Sequence, residues 1–381
     1  MMPWPDEERS HMKPRVFYLI YSNHRSAGGG SFYSLQQHVL AFGNMVDAHI
    51  LNLGKGKSAA LRDLENYSYI PFVRWNLWQL VAIVTMVRKI KPNILHAYDH
   101  KSLFVARIIR IFYPSTIIFT KCGGSNGSNN IPEADIYILF SRENFLHYKK
   151  FSPNIEAYLI PNRIYNIDED MSSIMEIRNR FNISNDHKVL MRISRVNPYY
   201  NRTYSQCHKL YLQMKAAGEI HKLLFVGDIQ DEAYFKDISK SFESDEDIIF
   251  ITDPKFTRNA SRILPIADAV VATGRGVMEA CFFGLRVFCP SAKGDLPIEL
   301  DDETFEELFS YNFSERVSIE GQGAKDGGGA QGGTRRYYDE NFSILSVKSK
   351  YWRIYSRERG QGKMTAWGFF YHMLQFFRPR F

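Results

Sequence analysis

Residues 267–288 read A-D-A-V-V-A-T-G-R-G-V-M-E-A-C-F-F-G-L-R-V-F. The apolar run at 269–272 has the character of a buried strand, and Gly274 and Gly276 permit a tight turn with close backbone approach. Helical periodicity follows at 277–283, and 286–289 reads as the next strand. A helix that starts on a glycine turn presents amide donors in its first turn, which favours a phosphate there. Glu279 falls in that first turn, close enough to accept hydrogen bonds from sugar hydroxyls beside such a phosphate. The same turn also occurs without a ligand, and Glu279 would then only stabilise the helix start.

The elements on either side decide how this stretch is used. Strand-like segments precede it at 189–194, 223–226 and 248–251, separated by helical periodicity at 204–216, 233–242 and 260–264. An earlier series places strands at 16–21, 48–53, 94–97, 116–121, 136–140 and 157–160, with helices at 32–42, 75–90, 103–111 and 145–150. Such alternation implies mostly parallel sheets covered on both faces. Pro161-Asn162 breaks the first series, the acidic run Asp168-Glu169-Asp170 leads into a helix at 174–181, and the pattern restarts.

The chain is therefore expected to be α/β, with two Rossmann-like doubly wound domains facing a cleft that is the default ligand site. Residues 13–165 would form the first domain and 166–345 the second, with residues 346–381 as C-terminal helices crossing back to the first domain or to a membrane. The glycine-dense segment 321–333 reads as a mobile loop or a catalytic lid. Helices are expected at 342–357 and 364–377. The latter crowds Trp367, Phe369, Phe370, Tyr371, Phe376 and Phe377 beside Arg378 and Arg380, a mixture suited to a membrane interface or to packing on the first domain.

Length and composition agree with this plan. At 381 residues the chain exceeds one compact core, and 45% hydrophobic content excludes disorder as its main state. The net charge of +7 points to anionic contacts without choosing among nucleic acid, phospholipid or phosphorylated substrates. Cys122, Cys207, Cys281 and Cys289 are scattered through mostly apolar stretches, which argues against a disulfide framework or a zinc site and for reduced thiols in a cytosolic protein. Residues 1–12 read as a tag or disordered tail. Ser10-His11-Met12 resembles a vector scar, so the natural chain is expected to start at Met12. No signal-peptide pattern is visible, and the most apolar segment, 75–87, is too short to span a bilayer.

Several motifs fall in one order. Gly28-Gly29-Gly30 follows the first strand, and Ile94-Leu95-His96-Ala97-Tyr98-Asp99 marks a later one. Ala134-Asp135 and Phe140-Ser141-Arg142-Glu143 then precede Ile160-Pro161-Asn162-Arg163. The second half contributes Ile193-Ser194-Arg195-Val196, Phe225-Val226-Gly227-Asp228 and the glycine turn with Glu279. From residue 16 to about residue 355 this series resembles a divergent GT-B glycosyltransferase of the retaining group called family 4.

The resemblance implies transfer of a sugar from a nucleotide diphosphate donor, a UDP-sugar ahead of a GDP-sugar, with no further cofactor and no metal. Its acceptor would be a glycan or lipid-linked hydroxyl in surface polysaccharide synthesis, handled by a bacterial cytoplasmic enzyme resting on an anionic inner membrane face and not on nucleic acid. Arg195 matches the family's phosphate-binding arginine, and Arg202 stands as substitute for its lysine, since guanidinium also binds phosphate oxygens. Glu279 matches the second of two family glutamates, but Val271 stands where the first would be, leaving Arg275 or backbone amides to serve the sugar. Gly227, Gly274, Gly276 and Val277 complete the implied donor site. His100 and Asp99 are the catalytic candidates of the first domain, and Gly28, Gly29, Gly30, Lys121, Gly123 and Gly124 form its acceptor or phosphate loops.

Three other readings stand beside this one. A metal-dependent transferase would use Asp168-Glu169-Asp170 or Asp245-Glu246-Asp247, which read instead as solvated turns. A sugar-nucleotide epimerase shares the fold, and a non-enzymatic binding protein would use the basic tail.

Overall fold

The computed structural model describes residues 13–23, 29–72, 76–126, 129–325 and 333–357. The expected tag over 1–12, Gly28 and the aromatic segment 364–377 lie outside the described residues, as do residues 326–332 of the glycine-dense loop.

The first domain runs through β1 (Arg15–Ser22), α1 (Gly30–Phe42), β2 (Asp47–Gly54), β3 (Tyr67–Ile70), α2 (Leu77–Ile90), β4 (Ile94–Ala97), α3 (His100–Phe112), β5 (Thr116–Lys121), β6 (Ile136–Leu139), α4 (Arg142–Phe151) and β7 (Glu156–Leu159). Its seven strands lie in the order β3-β2-β1-β4-β5-β6-β7, all pairs parallel. The second half opens with α5 (Met171–Arg180) and β8 (Val189–Ile193), then α6 (Asn201–Ala216), β9 (Lys222–Val226), α7 (Glu232–Ser241), β10 (Ile248–Ile251) and the short α8 (Pro254–Thr257). It continues through β11 (Ala269–Val271), α9 (Arg275–Phe282), β12 (Arg286–Cys289), β13 (Ile298–Glu299), α10 (Phe305–Ser310), α11 (Arg335–Tyr337) and α12 (Ile344–Tyr355). Its sheet has the order β10-β9-β8-β11-β12-β13, with β13 antiparallel to β12.

Parallel strands covered on both faces need nearly continuous apolar sequence, and β4, β5, β10 and β12 coincide with the expected segments for that reason. Two strands were not anticipated. The edge strand β3 alternates tyrosine with serine and is only half-buried, and β13 is two residues long. Residues 260–264, expected to be helical, fall in a 3-10 helix over Ala260–Ile266 that contains Pro265. Both sheets reverse strand order once, between β1 and β4 and between β8 and β11, and ligands of such sheets bind beyond the strand ends at those points.

The chain leaves the first domain and returns to it side by side. Ile164 N donates to Phe342 O at 2.8 Å, and Ile164 pairs with Ser343 as an isolated parallel bridge. Helix α12 then buries Ile344, Val347, Tyr351, Ile354 and Tyr355 in the apolar cluster of α1 and β1. The Tyr355 hydroxyl lies 2.8 Å from His38 Nε2 and 2.9 Å from His96 Nδ1, while His96 Nε2 meets Thr120 Oγ1 at 2.7 Å. Arg163, 1% exposed, bonds His38 Nδ1. Guanidinium only donates, so that nitrogen accepts and His38 Nε2 carries the proton given to Tyr355.

Burial first, and the Arg163 charge second, hold both imidazoles well below the ordinary histidine range. With folded values depressed, the unfolded chain binds more protons, so this stability is complete above about pH 6.5 and declines as pH falls below it. Urea unfolding is expected to show a slope approaching about 1.4 kcal/mol per pH unit for each histidine in that acidic window, and His96→Asn should remove one share of it. Tyr355→Phe strips both imidazoles of a partner and is expected to cost about 1–3 kcal/mol at pH 7.5 in the same measurement.

Candidate functional site

A cleft of about 1040 Å³ lies between the carboxyl ends of the two sheets. Its rims touch across the domains. Arg316 Nη1 donates to Glu143 Oε1 at 2.7 Å, and the Tyr33 hydroxyl donates to the Arg258 carbonyl. A Cβ on Gly123, which has φ +97°, would come within 2.9 Å of Asn312 Nδ2 from the opposite domain.

From the second domain, Arg195, Gly227, Gly274, Arg275, Gly276 and Glu279 all line the cleft. Arg195 follows β8, is exposed at the mouth, and donates through Nη2 to the Tyr200 hydroxyl at 2.8 Å while lying over that ring. Gly227 follows β9 where the backbone just after β8 passes so close that a Cβ would sit 1.7 Å from Ser194 O. Gly274 turns the chain at φ +52° ahead of α9. Arg275 and Glu279 form an i, i+4 ion pair at 2.6 Å, and Arg275 Nη1 is buried with no partner.

Two expectations for this side need correction. Arg202 does not line the cleft, because the 3-10 turn Pro198–Tyr200 and the first turn of α6 direct its Nη2 to Gly294 O at 3.1 Å. Val277 is fully buried in the core beneath α9, with its amide donating to Gly274 O at 3.2 Å. The expected row of free amides is also reduced: Gly274 N donates to Phe313 O at 2.9 Å and Gly276 N to Thr273 O at 3.0 Å.

From the first domain, Gly29, Gly30, Asp99, His100, Lys121, Gly123 and Gly124 line the cleft. Nothing lies within 4 Å of a Cβ built on Gly29 or Gly30, so the mouth is open there. Asp99 is engaged as the N-cap of α3. Its carboxylate accepts from the amides of Tyr21 at 2.7 Å and of Lys101 and Ser102 at 2.9 Å, with burial as the main influence raising its pKa. Lys121 is buried and donates to the carbonyls of Gly123 and Ser125, each at 3.1 Å, so it stitches its own loop; burial lowers its pKa. His100 is exposed, its ring 5.1 Å from that of Phe119.

The acidic runs lie elsewhere. Asp170 caps α5, and Asp245 and Asp247 take ion pairs from Lys215 and Lys222. Among the described residues no group of three or more His, Cys, Asp or Glu is placed to hold a metal ion. No described helix is long and apolar enough to cross a membrane. Sequence reasoning missed one cleft residue with a legible signal: Arg192, 1% exposed, is a charge inside the apolar run of β8.

No family model matches the chain, and no curated protein matches it. Solved structures resemble it along nearly their whole length. Anabaena Alr3699/HepE, in complex with UDP and glucose, superposes with a TM-score of 0.63 at 13% identity, covering 90% of this chain and 99% of the other. A glycosyltransferase from Rickettsia africae ESF-5 gives 0.60 at 12%, covering 91% and 98%. A putative UDP-N-acetylglucosamine 2-epimerase from Listeria monocytogenes gives 0.55 at 11%, covering 93% and 100%. These likenesses establish the GT-B fold, as expected from the sequence.

The position of Asp99 yields a test of structure against chemistry. Asp99→Ala is expected to lower stability by about 0.5–2 kcal/mol through loss of the cap, and Asp99→Asn, which keeps a capping acceptor, should recover most of it in thermal unfolding.

Proposed function

We propose that the protein is a glycosyltransferase that moves a sugar from a UDP-sugar to an acceptor hydroxyl. The observation that carries this reading is the charge of the cleft. Seven cationic side chains line it against four carboxylates. Of those carboxylates Asp99 is engaged as a cap, Glu279 is paired with Arg275, and Asp228 accepts from Thr257. Cationic side chains gathered along a cleft stabilise a departing diphosphate. The Anabaena and Rickettsia likenesses support a transferase, and the UDP bound to the Anabaena protein favours that nucleotide.

In this reading Arg195 meets the diphosphate from the mouth, held ready by Tyr200, while Glu279 grips the ribose beside α9. The bond from the anomeric carbon to the phosphate oxygen breaks, and the acceptor oxygen bonds that carbon from the same face. The acceptor proton passes to the departing phosphate. Positioning and charge then supply most of the rate, with retention and without a metal. Gly29, Gly30 and His100 face the acceptor side. By analogy the acceptor is a lipid-linked glycan in bacterial surface polysaccharide synthesis, reached by an enzyme resting on the inner membrane face.

UDP at a hundred times its Kd is expected to stabilise the protein by about 2.7 kcal/mol in thermal unfolding, with GDP weaker. Arg195→Ala and Glu279→Ala should each weaken UDP binding roughly tenfold, the loss of one charge-assisted hydrogen-bonding group. Unchanged stabilisation in both variants would remove the site assignment, and donor turnover without an acceptor would favour the epimerase. Transfer insensitive to EDTA is expected, and its loss would restore a metal to the mechanism.

A further inference from the structure

The diphosphate site proposed above has one cation at its mouth and, with Arg202 turned away, none at the position expected for the second. The opening of α9 does little to make up the difference, because Gly274 N donates to Phe313 O and the amides of Gly276 and Val277 are bonded within the turn. The missing charge lies below. Arg192 stands on β8 between Phe225 of β9 and Val271 of β11, lines the cleft, and is 1% exposed. Its Nη1 donates to Val271 O at 3.0 Å, immediately before the turn that leads to Gly274, and its Nε is buried with no partner.

A charge placed in the middle of a parallel sheet is costly unless an opposite charge and hydrogen bonds compensate it. The groups that act on Arg192 are Cys207 and Tyr204 of α6, Tyr200, and the carboxylate of Glu315, yet among the described residues no carboxylate forms an ion pair with it. Burial accordingly pushes its guanidinium below the ordinary arginine range. An unpartnered Nε is shared with the core residue Arg163, but Arg192 also lines the cleft, and among the described residues its Nη2 has no hydrogen-bond partner and is not enclosed.

We propose that Arg192 is the second guanidinium of the diphosphate site, anchored through Nη1 to Val271 and donating to a phosphate oxygen through Nη2 from beneath the turn at 272–274. This rests on the transferase reading for the identity of the ligand, but the anion site itself does not. Arg195 would then bind from the solvent side and Arg192 from the protein side, so that the leaving group is held between two cations of unequal exposure.

Calorimetry with UDP, uridine and inorganic pyrophosphate on wild type, Arg192→Met and Arg192→Lys tests this. Arg192→Met is expected to weaken UDP and pyrophosphate roughly tenfold or more while leaving uridine unchanged, and Arg192→Lys should recover part of the loss. Should Arg192→Met fail to fold, Arg192→Lys against wild type carries the comparison, with pyrophosphate losing affinity and uridine not. Equal losses for uridine and UDP mark a structural role and overturn the proposal, as does unchanged pyrophosphate affinity. Wild type that binds pyrophosphate but neither UDP nor GDP leaves the Arg192 site standing and removes the nucleotide-sugar reading.

Discussion

The hydroxyl of Tyr355 holds together parts of the chain more than 250 residues apart, meeting His38 of α1 and His96 of β4 at one point. Two imidazoles and the Arg163 guanidinium sit in an otherwise apolar core, where each unmatched polar atom would cost as much as a lost hydrogen bond. Helix α12 supplies the hydroxyl that meets both imidazoles, and Arg163 bonds the first of them. The first domain is therefore complete only when the last described helix has returned, and its sheet, with β4 at its centre, inherits that dependence. The loops after β1, β4 and β5, which form one wall of the cleft, are placed by strands that pack on this cluster.

Much of this architecture was legible because parallel strands buried on both faces are mostly apolar, and residues 94–97, 116–121 and 286–289 keep that character despite His96, Lys121 and Arg286. The edge strand β3 escaped because its tyrosine-serine alternation is half-buried, and β13 because it is two residues long, whereas the edge strand β10 kept an apolar run. The order of motifs also located the cleft residues Arg195, Gly227, Gly274 and Glu279. It could not say which way a side chain leaves a turn: Arg202 lies seven residues beyond Arg195, and the 3-10 turn between them rotates it toward Gly294. For Asp99 the sequence held a better answer than catalysis, since an aspartate followed three positions later by Ser102, ahead of an apolar run, is a helix start.

The polar groups of the cleft share a second feature. Several are balanced before any ligand arrives, Glu279 by Arg275, Lys121 by two carbonyls and Asp99 by three amides. Such groups are held in place and reorganise little, which is how fixed dipoles and charges act most effectively on charge that develops during a reaction. Arg192 Nε and Arg275 Nη1 are contrasting cases, buried nitrogens of cleft residues with no partner.

The paired crossings at Ile164 and Ser343 have a mechanical consequence. Two strands of chain that pass between lobes at one place, and are bonded to one another there, behave as a spine rather than as two independent tethers. Any change in the width of the cleft is then a swing about that line, and it must break or stretch the contacts of Tyr33 with Arg258 and of Glu143 with Arg316. Those contacts thus act as a clasp between the lobes.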